Sequence, residues 1–225
     1  MKNPDEQKRK YGFLYRNSLT LVFMFLALVF LLGQAFTGMQ EHNRDMREAG
    51  QPAVGLWQYL HTGHFIQATF ENWESEFLQM GIFVVFTIFL YQQGSSESKP
   101  PGEKTEVDRE PQPSPDAPWP VRKGGIVLAL YKHSLSIALF LLFAFSWAAH
   151  LWGSWKDHAQ QRAAEKSDPG TLWQYLGSSR FWFESLQNWQ SEFLSVACLI
   201  FLSIYLRQKG SPQSKPVDMP YDETE

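Results

Sequence analysis

A chain of 225 residues with 20 Lys and Arg against 23 Asp and Glu carries a formal net charge of −3. That balance excludes nucleic-acid binding as a leading role, because a phosphate backbone calls for a clustered basic face, and the single cysteine, Cys198, excludes an internal disulfide framework. The mean hydropathy of −0.30 has the value of a soluble protein, but apolar residues are gathered into four blocks, and a membrane span is recognised by such a block rather than by an average.

Residues 1–14 form a short N-terminal segment containing Lys2, Lys8, Arg9 and Lys10. The first apolar block runs from Leu19 to Gly33 and extends to Thr37. With basic residues before it and Gly33-Gln34-Ala35 at its end, it has the outline of a secretory leader. A similar block, Leu135 to Trp155, lies inside the chain and cannot be a cleaved leader, so both are expected to be membrane anchors. After the first block, Leu56, Tyr59 and Leu60 fall on one helical face beside Trp57, the pattern of a short amphipathic helix at the outer membrane surface. A new helix is expected from Thr62 or Gly63 into the second apolar block, Phe77 to Tyr91.

Residues 94–124 hold seven prolines between Pro100 and Pro120, among Ser, Glu, Asp and Lys. Such a stretch is too polar to bury a core and too rich in proline for a helix, so it is expected to be a disordered cytoplasmic linker. Pro111-Gln112-Pro113-Ser114-Pro115 also has the form of a polyproline II ligand, with the spacer role favoured. The third block, Leu135 to Trp155, is followed by Leu172, Tyr175 and Leu176 beside Trp173, a second surface helix. Ser178 or Ser179 caps a helix through Trp182, Leu186 and Trp189 into the fourth block, Phe193 to Leu206. Residues 210–225 read as a disordered cytoplasmic tail.

Much of this pattern is written twice. Leu56-Trp57-Gln58-Tyr59-Leu60 returns at 172–176, and Asn72-Trp73-Glu74-Ser75-Glu76-Phe77-Leu78 returns at 188–194 with Gln190 for Glu74, both at an offset of 116 positions (56 to 172, 72 to 188). The same offset relates Tyr15 to Tyr131, His42 to His158 and Gln34 to His150. The fold expected is therefore an all-α integral membrane protein, with four transmembrane helices from two tandem parallel hairpin repeats, at 15–93 and 125–209, and amphipathic helices on the outer surface. Two spans per copy make both copies enter the bilayer in the same direction. Lys and Arg concentrate before the first block, in 94–124 and after the fourth, which places both termini in the cytoplasm.

Among candidate site residues, Asn72, Ser75 and Glu76 share one helical face, as do Asn188, Ser191 and Glu192. Carboxylates entering a bilayer usually face a bundle interior, a partner or water. Glu76 and Glu192 can meet across the repeat axis as a cation-attracting pair, or each can sit at interface depth bonded to nearby amides, which is the favoured reading. Trp57, Tyr59, Trp73, Trp173, Tyr175, Trp182 and Trp189 make an outer aromatic surface, equally suited to a protein partner or to the headgroup belt of the bilayer. His61 and His64 have helical ligand spacing, but Gly177 and Arg180 stand at the matched positions. His42 and His158 follow Glu41 and Asp157, a weak pattern for a metal ion. No catalytic, cofactor-binding or metal residue is assigned.

The segments Tyr15-Arg16-Asn17-Ser18-Leu19, Trp57-Gln58-Tyr59-Leu60 and Asn72-Trp73-x-Ser75-Glu76-Phe77-Leu78 resemble a family of bacterial integral membrane proteins known as a domain of unknown function. The resemblance covers nearly the whole repeated region and implies a bacterial cytoplasmic-membrane location. It implies no activity, cofactor or catalytic residue. The second copy departs from it at Lys132-His133, in place of Arg16-Asn17. The function expected is non-enzymatic, a structural or partner-binding protein of the inner membrane, whose partners are the lipid bilayer and another protein or a second copy of itself. A small channel or transporter with Asn and Glu at its outer mouth is the alternative.

Overall fold

The computed structural model describes residues 12–100 and 102–224, and Lys2, Lys8, Arg9, Lys10 and Pro101 lie outside them. The described residues are helical, with no strand among them. In chain order the helices are α1 (Phe13–Arg16), α2 (Ser18–Glu48), α3 (Leu56–Tyr59), α4 (Gly63–Phe86), α5 (Trp119–Lys123), α6 (Gly125–Lys132), α7 (Ser134–Ala164), α8 (Leu172–Leu176) and α9 (Ser179–Tyr205). A 3-10 turn, Glu106–Asp108, lies between α4 and α5.

Among the described residues two helices, α2 and α7, are long and apolar enough to cross a membrane. Each has 31 residues, about 46 Å at 1.5 Å per residue, against a hydrocarbon core of about 30 Å. The bounds of α2 and α7 differ by the same 116 positions that separate the repeated sequence segments. The starts of α4 and α9, Gly63 and Ser179, do so as well. Local chemistry fixes those starts: the Thr62 hydroxyl accepts from the Phe65 N–H at 3.3 Å, and the Ser178 hydroxyl accepts from the Phe181 N–H at 3.3 Å.

The chain divides into two compact units, one comprising residues up to Thr69 with Gly153–Pro169, the other Phe70–Trp152 with the chain from Gly170 onward. In the first unit, Asn43 binds Val54 in both directions, donating to its carbonyl at 2.9 Å and accepting from its N–H at 2.7 Å. This anchors the loop that leads α2 into α3. Tyr59 is buried, with its hydroxyl lying where a side chain at Gly38 would be. A Cβ at Gly63 would collide with the backbone of Gly153 and Asp157, so α4 and α7 meet here main chain to main chain. Lys156 donates to the His61 carbonyl at 2.7 Å.

In the second unit, aromatic rings fill the space between helices. Phe70 packs edge-on against Phe145, Phe143 against Trp189, and Trp147 against Phe181. α8 opens with a reciprocal cap, in which Thr171 and Gln174 each bond the other's backbone N–H. The tail, polar enough in sequence to read as disordered, is folded around one buried side chain. The Lys215 ammonium donates to the carbonyls of Pro220, Tyr221 and Glu223 at 3.0, 3.0 and 2.9 Å. Ser95 and Ser203 bond at 2.8 Å, and the Gly94 N–H donates to Thr224.

Candidate functional site

α4, α7 and α9 bring together four side chains that a reading of the repeated residues passes over. His150, on α7, is fully buried at 0% exposure, as is Glu74 on α4. The imidazole Nδ1–H donates to Glu74 at 3.0 Å, and the other oxygen of that carboxylate accepts from the Trp189 indole N–H at 3.2 Å. On the opposite edge of the ring, Nε2 lies 3.8 Å from Glu71 and 3.6 Å from Glu184. Neither distance is a hydrogen bond, and Nε2 has no hydrogen-bond partner. Glu184 also accepts from Arg180 at 3.0 Å. Phe181, itself fully buried, lies over the imidazole with ring centroids 5.0 Å apart, forming a dry wall.

Burying charge without compensation is costly, and this cluster holds three carboxylates beside one guanidinium. The arrangement can hold a cation or a proton at Nε2. The ligand atoms of Glu71, His150 and Glu184 lie within 4.8 Å of one another.

A second polar cluster occupies the first unit. The Tyr59 hydroxyl bonds His64 Nδ1 at 2.9 Å, and the His64 ring lies 5.3 Å from that of His42. His42, His64, Asp45 and Asp157 line a cavity of about 120 Å³. His42 is buried and its Nε2 has no partner. Burial, and then the neighbouring His64, lower the His42 pKa, with Asp157 and Asp45 acting the other way. Burial and then Asp157 push the Tyr59 phenol up to about 12.

The residues singled out from sequence are dispersed. Ser75 is buried and bonds the Asn72 carbonyl at 2.8 Å, whereas Asn72 and Glu76 are exposed. Ser191 and Asn188 repeat that bond at 2.9 Å, Ser191 is exposed, and Glu192 is half-buried within electrostatic range of Glu76. Of the aromatic surface, Trp57 and Trp173 are 74% and 77% exposed, and Trp73 and Trp182 are also exposed. Tyr59 and Tyr175 are buried instead, because α3 and α8 turn these rings toward the protein, so they are core side chains and not surface ones. Trp189 is half-buried and occupied by Glu74. His61 and His64 do not converge, since His61 Nδ1 bonds the Trp57 carbonyl. Glu41 pairs with Arg44 on the surface, while Asp157 faces the His42 cavity.

A sequence signal for the main cluster does exist. At the offset of 116, Glu71, Glu74, His150 and Glu184 face Gln187, Gln190, Gln34 and Ala68. The three carboxylates and the imidazole of the cluster are thus each matched by a neutral side chain, while Arg180 is matched by His64. No curated protein and no solved structure matches the chain. A match over residues 10–225 shows that the chain belongs to the family described as Domain of unknown function (DUF6766).

Proposed function

We propose that the chain is a non-enzymatic, multi-pass protein of the bacterial cytoplasmic membrane, of structural or partner-binding type, in which α4 and α9 join α2 and α7 as spans. The observation that carries this reading is an inverted distribution of polarity. Phe23, Met24, Phe25 and Phe30 on α2 and Leu141 and Phe145 on α7 are exposed, whereas His150, Glu74, Ser75, Ser146, Ser154 and Ser185 are among the most deeply buried side chains. In water that pattern is unfavourable, and in lipid it is the expected one, because apolar faces meet acyl chains while polar groups satisfy one another inside. The matched bounds of α2 and α7 support a tandem duplication of one hairpin. Basic residues in the linker and after α9 support cytoplasmic termini. Trp57 and Trp173, at matched positions on α3 and α8, are the contact points for a partner.

Alkaline extraction of membranes, with reporter fusions at residues 52, 110 and 168, tests the topology. Release into the soluble fraction, or a linker reporting on the side opposite to the termini, overturns it. Cross-linking from position 57 or 173 followed by mass spectrometry tests the partner role, and lipid adducts alone overturn it.

The proximity of Glu76 and Glu192 favours a second reading, a cation-selective outer mouth. Ion flux in proteoliposomes that disappears in a folded Glu76→Gln, Glu192→Gln variant would establish conduction. Absence of flux for cations, anions and protons removes it.

A further inference from the structure

We infer that Glu71, His150 and Glu184 form a binding site for one divalent first-row transition-metal ion. Such a site stands whether the protein recruits a partner or conducts ions.

The geometry suits an ion. Two ligands each about 2.1 Å from a tetrahedral ion lie about 3.4 Å apart. Nε2 lies 3.8 Å from Glu71 and 3.6 Å from Glu184, each within a few tenths of an ångström of that spacing, and the ligand atoms of all three residues lie within 4.8 Å of one another. His150 is wholly buried, and its Nε2, which lacks a hydrogen-bond partner, is aimed between the two carboxylates.

The surroundings of the ring suit it as well. A metal-binding imidazole must present a lone pair, and its other nitrogen is usually held as N–H by a carboxylate. Glu74 supplies that carboxylate at 3.0 Å and is itself held by Trp189. With Nδ1 occupied as a donor, Nε2 is the ring atom that faces the oxygens of Glu71 and Glu184, and it meets them either by carrying a proton or by giving its lone pair to a metal ion that displaces that proton.

Charge points the same way. Glu71, Glu74 and Glu184 against Arg180 leave two negative charges in a site walled by Phe181. One divalent ion neutralises them. An imidazole beside two carboxylates suits zinc, manganese, iron or cobalt better than calcium or magnesium, which favour all-oxygen sites. Three protein ligands leave a coordination position open for water.

The other copy supplies its own control. Gln187, Gln34 and Ala68 stand at the positions matching Glu71, His150 and Glu184, and that set offers no imidazole and no carboxylate. One ion per chain is therefore expected, not two.

The test uses the full chain, purified without a histidine tag, stripped by a chelator and reconstituted in lipid nanodiscs. Titration with Co²⁺ is followed by its visible absorption, with bound metal counted by mass spectrometry. Wild type is expected to take up one equivalent with a spectrum of mixed nitrogen and oxygen ligation. Glu71→Gln and Glu184→Ala copy residues already present at the matched positions and leave the bond between His150 and Glu74 in place, so they should fold. Each should weaken Co²⁺ binding by at least about a hundredfold, and Glu74→Gln by about 10- to 100-fold. Wild type that binds less than a stoichiometric amount overturns the assignment. So does a folded Glu71→Gln, Glu184→Ala double variant that binds as wild type does, since the ion would then sit elsewhere, such as the His42 cavity.

Discussion

In the first unit, His42, Tyr59 and His64 meet beside a point where the backbones of α4 and α7 touch at Gly63 and Gly153. In the second, His150 is held by carboxylates and an indole, with side chains doing all the positioning. Both clusters contain a buried imidazole with an unpartnered Nε2. The difference lies in what surrounds it: a cavity flanked by two acidic groups in one, and in the other two carboxylates beside Nε2 with a third on Nδ1. Position set by main-chain contact resists changes in ionic conditions, whereas position set by charge responds to protons and metal ions. The second cluster is therefore the one built to respond.

The sharpest way to break this comparison is Glu74→Ala. It strands the N–H groups of His150 and Trp189 and deletes a buried ionic partner, a loss of about 3 kcal/mol. Thermal unfolding in nanodiscs, followed by tryptophan fluorescence, should show a larger drop for this variant than for Gly63→Ala or Tyr59→Phe. A drop no greater than that of a single neutral hydrogen bond would refute charge as the organiser of the second unit.

Gly63→Ala probes the opposite mechanism. The added methyl would meet main-chain atoms of Gly153 and Asp157, which have no rotamer by which to move away, and overpacking of this kind costs about 2 kcal/mol. The unfolding midpoint should fall by the same amount at low and high salt. Salt sensitivity would mean that charges, not backbone contact, set this crossing.

Tyr59→Phe removes only the hydroxyl bonded to His64, worth about 1 kcal/mol. Its direct readout is phenolate absorbance during an alkaline titration. In wild type one tyrosine should ionise as late as about pH 12, and the variant should lack that step.

The smallest effect is on pH dependence. His42 has a folded pKa below its ordinary 6.5. The unfolded chain therefore takes up a proton first as pH falls, so the contribution of neutral His42 is complete above 6.5 and declines below it. Amide exchange in α2 near His42 should accelerate as pH is lowered through that range, after correction for intrinsic rates. His42→Asn should flatten the dependence, and a slope retained in that variant would assign it to another group.

Much of the helical layout is legible in sequence, because it rests on local chemistry. Thr62 and Ser178 announce the starts of α4 and α9, and the apolar runs from Leu19 and Leu135 fix α2 and α7. The burial of Tyr59 and Tyr175 is not legible. An amphipathic face tells that a helix has an apolar side, and only packing decides whether that side meets lipid or protein. The main cluster escapes for a related reason. Attention to what both copies share selects Asn72, Ser75 and Glu76, while Glu74 and Glu184 are unmatched in charge, facing Gln190 and Ala68. The structural role of Ser75 recurs at Ser191, where the same bond to the preceding turn is made. Around His150, the shared Ser75 maintains the scaffold, and the charged groups sit where the copies diverge.

The carbonyl cage around Lys215 makes the tail a built-in reporter of chain integrity. A protease cutting after Asp218 removes the Pro220, Tyr221 and Glu223 acceptors in one event and uncovers the Lys215 ammonium to water. The same cut removes Thr224, which receives the N–H of Gly94 at the start of the linker. Clipping at one end thus loosens a segment more than a hundred residues away in sequence, and a clipped molecule should be degraded onward faster than an intact one.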